Sequence, residues 1–146
     1  MSGSDASGRD VAESVERAFR ELAEPGVVSV YLFGSHAEGR AHRESDVDVG
    51  VLLQHATHPA PRDRFEARIR LSSKLASRLG TDRVDVVILN DAPPQLGRRV
   101  VSRGRRVHCT DPEVDHAFVR DVQLRAADVE PFLRRARRTK LAAIAR

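Results

Sequence analysis

Three aspartates and one glycine-serine pair carry most of this chain's capacity for chemistry. Asp46 and Asp48 lie one residue apart in the run DVDVGVLL, and Asp85 interrupts a second apolar run, RVDVVIL. Side chains alternate between the faces of a strand, so Asp46 and Asp48 point the same way while Val47 and Val49 take the other face. Carboxylates about 7 Å apart along one strand repel each other unless a cation sits between them. A hard divalent ion with oxygen ligands suits such a pair, and Mg²⁺ leaves its other positions to water and substrate phosphates. In the second run Val84, Val86 and Ile88 share one face and Asp85 takes the other. If the two strands are neighbours, three carboxylates converge, enough to hold two metal ions that activate a nucleophile and steady a leaving phosphate.

Gly34-Ser35 follows the run VVSVYLF directly. A strand that ends in Gly-Ser and turns into a short helix, here SHAE closed by Gly39, offers backbone N–H groups and a hydroxyl to an anion. Glycine lets the backbone approach a phosphate, and Ser35 adds one hydrogen bond. A phosphate cradle and a metal triad within about fifty residues imply nucleoside triphosphate chemistry. Arg40 and Arg43 lie in the loop between turn and aspartates, able to touch phosphate or simply to face water. Ser45 is expected to start the strand, and Asp82 and Asp91 are the fallback acids near the third strand's ends.

The elements that must position these residues can be read from periodicity. Val11, Val15, Ala18, Phe19 and Leu22 mark a helix ended by Pro25-Gly26. Strands are expected at 27–33, 46–53 and 83–89. Phe65, Ile69, Ser72, Leu75, Ala76 and Leu79 make one face of a helix closed by Gly80. A short helix opens at Pro93-Pro94, a fourth strand covers 105–109, and Thr110-Asp111-Pro112-Glu113 starts a C-terminal helix. Pro131 is expected to interrupt that helix and leave LRRARRTKLAAIAR as a last one. The pattern predicts one small α/β (α+β) domain, a short mixed sheet with helices packed on it. Residues 1–9 read as a flexible leader, 10–110 as the core, and 111–146 as C-terminal helices packed on the same domain.

The bulk properties narrow the class. The chain has 146 residues, a hydrophobic content of 40%, a net charge of +4 and a pI near 10.1, with arginine supplying nearly all the positive charge. No apolar run approaches the roughly 20 residues of a membrane span, and the N-terminus lacks the pattern of a secretory signal. The single cysteine, Cys109, cannot form an internal disulfide, so a cytoplasmic setting is expected. The six histidines lack ligand spacing with cysteine, and zinc is not expected. The arginines at 134, 135, 137 and 138 with Lys140 form a basic cluster whose first reading is a solvated face. Its second reading is a surface for RNA or an acidic partner.

Gly34-Ser35, Ala37 and Gly39, followed by Ser45-Asp46-Val47-Asp48, resemble the GS-x-A-x-G…SD-x-D signature of the DNA polymerase β-like nucleotidyltransferases. More narrowly, the chain is similar to the minimal nucleotidyltransferases, the MNT proteins that accompany HEPN-domain partners, and the likeness spans about residues 10–110. The resemblance implies that Asp46, Asp48 and Asp85 bind Mg²⁺, with Asp85 also helping to activate the attacking hydroxyl as general base. It implies that Gly34 and Ser35 hold the β- and γ-phosphates of ATP. The implied reaction moves AMP onto a hydroxyl, a tyrosine of a cognate HEPN RNase toxin, with the MNT chain acting as antitoxin. Two departures are modest: His36 stands where a basic residue often follows Gly-Ser, and His108-Cys109 stands where a tyrosine often ends the last strand.

Two rival readings remain at this stage. One is a vestigial antitoxin that neutralises its partner by binding alone; the other is a nucleotidyltransferase acting on a small molecule or RNA, with a homo- or hetero-oligomer supplying the rest of the pocket.

Overall fold

The computed structural model describes residues 3–40 and 45–144, with side chains over 10–40 and 45–140. Arg43 and His42 lie outside the described residues. Helix α1 (Gly3–Leu22) leads into β1 (Val27–Phe33) and β2 (Val47–Leu53). Next come α2 (Pro61–Leu79), β3 (Val84–Ile88), a single 3₁₀ turn at Leu89–Asp91, α3 (Pro94–Arg103), β4 (Arg105–Cys109) and α4 (Pro112–Ile144). The sheet runs β3-β2-β1-β4, with β1 antiparallel to β2 and β4, and β2 parallel to β3. Among the described residues no helix is long and apolar enough to cross a membrane.

Period-two alternation splits the core into two layers. Val30, Leu32, Val49, Val51 and Val86 face a layer shared with Val15 and Phe19 of α1 and with Leu71 and Leu75 of α2. Tyr31, Leu52 and Leu89 face the other layer, closed by Val100 of α3 and edged by Phe118 of α4. Each fully buried Leu or Val removes enough apolar surface from water to contribute about 1.5–3 kcal/mol. The carboxylates belong to the second face: Asp48 precedes Gly50 and Leu52, and Asp85 precedes Val87 and Leu89. A Cβ on Gly50 would stand 3.1 Å from both Val100 Cγ1 and Leu89 Cδ2, so α3 crosses the sheet directly over it.

Several expectations need correction. The backbone of residues 3–9, within the segment read as a leader, is helical and continuous with α1; extending a nucleated helix costs far less than starting one. The SHAE segment is a series of turns, not a helix. The buried face of α2 is Arg64, Ala67, Leu71 and Leu75, whereas Phe65 and Ile69 are 56% and 55% exposed. Arg64 goes in because all three of its guanidinium nitrogens are bonded. Nε and Nη2 reach the two Asp91 carboxylate oxygens at 2.9 Å, and Nη1 donates to the His58 carbonyl at 2.9 Å.

Pro131 does not end the last helix, and α4 continues through it. A proline deprives the carbonyl four residues back of its donor; that residue, Ala127, is exposed, so water can take the role. Glu130 also bridges forward to Arg134 at 3.1 Å and across to Arg98 of α3 at 3.0 Å, holding both sides of the proline.

The first half of α4 is fixed by a buried carboxylate. Asp115 is 1% exposed and accepts hydrogen bonds from Ser29 Oγ (2.7 Å), Tyr31 Oη (2.8 Å) and Arg106 Nη1 (2.9 Å). A Cβ on Gly97 would lie 2.6 Å from Val122 Cγ2, so the Val122 side chain of α4 packs directly on the backbone of α3.

Candidate active site

At one end of the sheet β1 finishes, β2 begins and β3 begins. Phe33 pairs with Asp48 in the antiparallel ladder, and Asp48 pairs with Asp85 in the parallel one. Period-two alternation then puts both carboxylates on the α3 face, side by side on neighbouring strands. Asp46 lies just before β2, exposed, and Val47 N donates to the Arg83 carbonyl at 2.8 Å to start the β2–β3 ladder.

Gly34 turns the chain at this end. Its φ is +76°, a region costly for residues with a Cβ, and a Cβ there would fall 2.3 Å from Asp48 Oδ2. Only glycine fits beside that carboxylate. The turn closes on itself through Glu38 N to Gly34 O (3.1 Å) and Arg40 N to Ser35 O (2.9 Å). Glu38 also pairs with Arg40 at 2.6 Å. Ser35 is half-buried beside the turn.

Burial, then the charges of Asp85 and Asp46, push the Asp48 carboxyl above its usual value, with His36 acting in the opposite sense. Asp48 therefore feels both other acids, and it gains no hydrogen bond or ion pair from any described residue. As placed, no three His, Cys, Asp or Glu side chains among the described residues form a metal-holding group.

The chemistry of these donors suits a hard divalent ion such as magnesium. The donor set is all oxygen, as a hard cation requires. The missing Cβ of Gly34 lets the Asp48 carboxylate lie directly against the turn. His36 is 8% exposed, and its Nδ1 is buried with no hydrogen-bond partner among the described residues. Its Nε2 stands 3.4 Å from the Ser45 carbonyl oxygen.

His36 is the site-adjacent residue that sequence reasoning noted only as a departure; its position directly after Gly-Ser was the available signal. Asp91, a fallback acid, is occupied by Arg64, and Asp82 is exposed in the turn before β3. Cys109 is a free, half-buried thiol at the end of β4, away from the carboxylates.

Comparisons with known proteins agree with this geometry. The family described as "Polymerase beta, Nucleotidyltransferase" matches residues 15–113. The chain is 35% identical over 100 residues to Protein adenylyltransferase MntA of Shewanella oneidensis, covering 68% of this chain and 67% of that one. A crystal structure of a toxin–antitoxin with AMP-PNP contains a chain of similar fold. Its TM-score is 0.65 at 29% identity, over 92% of this chain and 98% of that one. The toxin–antitoxin MntA–HepT gives 0.59 at 26%, over 92% and 97%. With four strands in the order β3-β2-β1-β4, a glycine-serine turn after β1 and acids at the entries of β2 and β3, the chain belongs to the polymerase β-type nucleotidyltransferase family, in its minimal MNT antitoxin branch.

Proposed function

We propose that the protein transfers AMP from ATP to a hydroxyl on a partner protein, a tyrosine of a cognate HEPN toxin, and acts as that toxin's antitoxin. The reading is supported above all by the in-register pair Asp48–Asp85 beside Gly34. Protein adenylyltransferase MntA supports the choice of a protein acceptor, and the toxin–antitoxin structure with AMP-PNP supports ATP as donor.

Asp46, Asp48 and Asp85 would hold magnesium, which when bound neutralises phosphate charge and aligns the reacting oxygens. Gly34 and Ser35 receive the β- and γ-phosphates through backbone N–H groups and the Ser35 hydroxyl. The Asp85 carboxylate accepts the proton of the attacking hydroxyl. The acceptor oxygen then bonds to the α-phosphorus, the bond from that phosphorus to the bridging oxygen breaks, and pyrophosphate leaves. Fixed charges and hydrogen bonds, rather than a covalent intermediate, supply the rate enhancement.

Incubation with the HEPN partner, Mg²⁺ and ATP labelled at the α- or the γ-phosphate tests this. Label should pass to the partner from the α position alone and should disappear in the Asp85→Asn variant. An unlabelled but still neutralised partner would favour inhibition by binding alone.

A further inference from the structure

Helix α3 has three sides, and two of them are occupied. Leu96 and Val100 lie on the sheet. Gly97 against Val122, Gln95 Nε2 on the Ala126 carbonyl (3.1 Å) and Arg98 on Glu130 (3.0 Å) face α4. Arg99 and Arg103, one helical turn apart, are left on the remaining side. Both are exposed, and neither makes a hydrogen bond or ion pair with any described residue. Arg98, Arg64 and Arg40, by contrast, are each matched to an acid.

Their position relative to the site is set by the end of the helix. A Cβ on Gly104 would stand 3.0 Å from the Leu32 carbonyl oxygen and 3.3 Å from Phe33 Cβ, so the last turn of α3 ends against the residues that lead into Gly34. Val100 sits over Gly50, two residues along β2 from Asp48. An open pocket of about 690 Å³ lies along this side, lined by Gln95, Leu96, Arg98, Arg99, Ser102 and Arg103. The field of Arg103 and Arg99 reaches the glycine-serine turn, where, after Arg40, it helps hold the Glu38 carboxyl below its usual value.

We propose that Arg99 and Arg103 form the cationic wall of the triphosphate site, gripping the β- and γ-phosphates from the α3 side, opposite Gly34-Ser35. This rests on the site being a nucleoside triphosphate site, and it adds two binding residues to it. The charge balance favours it: a triphosphate joins three carboxylates, and divalent ions alone leave an excess of negative charge. Arginine offers a planar, bidentate fit to phosphate oxygens and keeps its charge at all working pH values. A purely structural role would be complementing the negative end of the helix dipole. That serves Arg103, in the last turn, and leaves Arg99 unexplained.

Calorimetric titration of the full chain with AMP-PNP, pyrophosphate and AMP, each with Mg²⁺, separates the roles. Arg99→Ala and Arg103→Ala should each weaken AMP-PNP and pyrophosphate by about ten- to a hundredfold, while AMP changes far less. Arg99→Lys and Arg103→Lys should recover part of the loss. Thermal unfolding should be unchanged, since both side chains are exposed. Unaltered AMP-PNP affinity in the double alanine variant, or a wild-type chain that binds neither AMP-PNP nor pyrophosphate, overturns the proposal. A wild-type chain that binds AMP-PNP through these arginines yet labels no partner would overturn the adenylyltransfer reading and leave this one standing.

Discussion

Asp48 of β2 and Asp115 of α4 lie at the same face of one sheet, and their surroundings are opposite. Asp115 is sealed in and accepts from two hydroxyls and a guanidinium. Asp48 is half-buried among acids, with Gly34 pressed against it and no described donor in reach. A buried charge that is fully bonded holds a fold together; one left short of partners costs stability and awaits a ligand. The partners of each aspartate, rather than its burial, separate the structural acid from the one proposed to bind a ligand.

The sharpest way to break this contrast is Asp48→Asn. Adenylyl transfer should drop by a hundredfold or more, the scale of losing one preorganised electrostatic group. In metal-free buffer the variant should be as stable as the parent or more so, because the amide relieves repulsion from Asp85 and Asp46. A urea titration and a labelling assay on the same sample read both, and a destabilised variant would mean that Asp48 is structural after all.

Asp115→Ala should behave the other way. It strands the Ser29 and Tyr31 hydroxyls and leaves Arg106 without its partner, costing about 3 kcal/mol of unfolding free energy in a urea titration. Transfer measured at low temperature, where the variant remains folded, should stay near the parental rate. Burial, followed by the hydrogen bond to Asp115, raises the Tyr31 hydroxyl's pKa far above its ordinary value, so that hydroxyl stays protonated and a donor near neutrality.

A smaller effect should appear in acid. Glu24 accepts from Arg70 at 2.7 Å and from Lys74 at 3.2 Å, tying α2 to the end of α1. Burial works against it, but those bonds and charges hold its carboxyl below 4.5. A depressed folded-state value means the contribution is present above the unfolded value and fades as pH falls through the folded one. Melting temperatures of parent and Glu24→Gln should therefore differ at pH 7 and converge as the pH falls through the depressed folded-state value; a constant gap would remove Glu24 from the account.

Much of this arrangement could be read from residue order alone. The strands show in β-branched runs, and the shared face of Asp48 and Asp85 needs only a period of two and parallel neighbours. What could not be read depends on contacts between distant segments. Arg64 is buried only because Asp91 meets it from 27 residues away. Phe65 and Ile69 look like core until β3 proves to be the sheet's edge, with no strand beyond it for them to cover. Asp115 resembled any acid in a first helical turn, since Ser29 and Tyr31 lie more than eighty positions earlier. Pro131 misled because its local penalty is real, yet water and a bridging glutamate absorb it.

The parallel pairing of β2 with β3 has one more consequence. Sliding β3 by a single position would turn Asp85 into the apolar layer beneath α2 and drive Val86 out beside Asp48. No misaligned form could keep both a sound interior and a working set of acids. Molecules of this protein should therefore be either competent or unfolded, with no stable half-active population between.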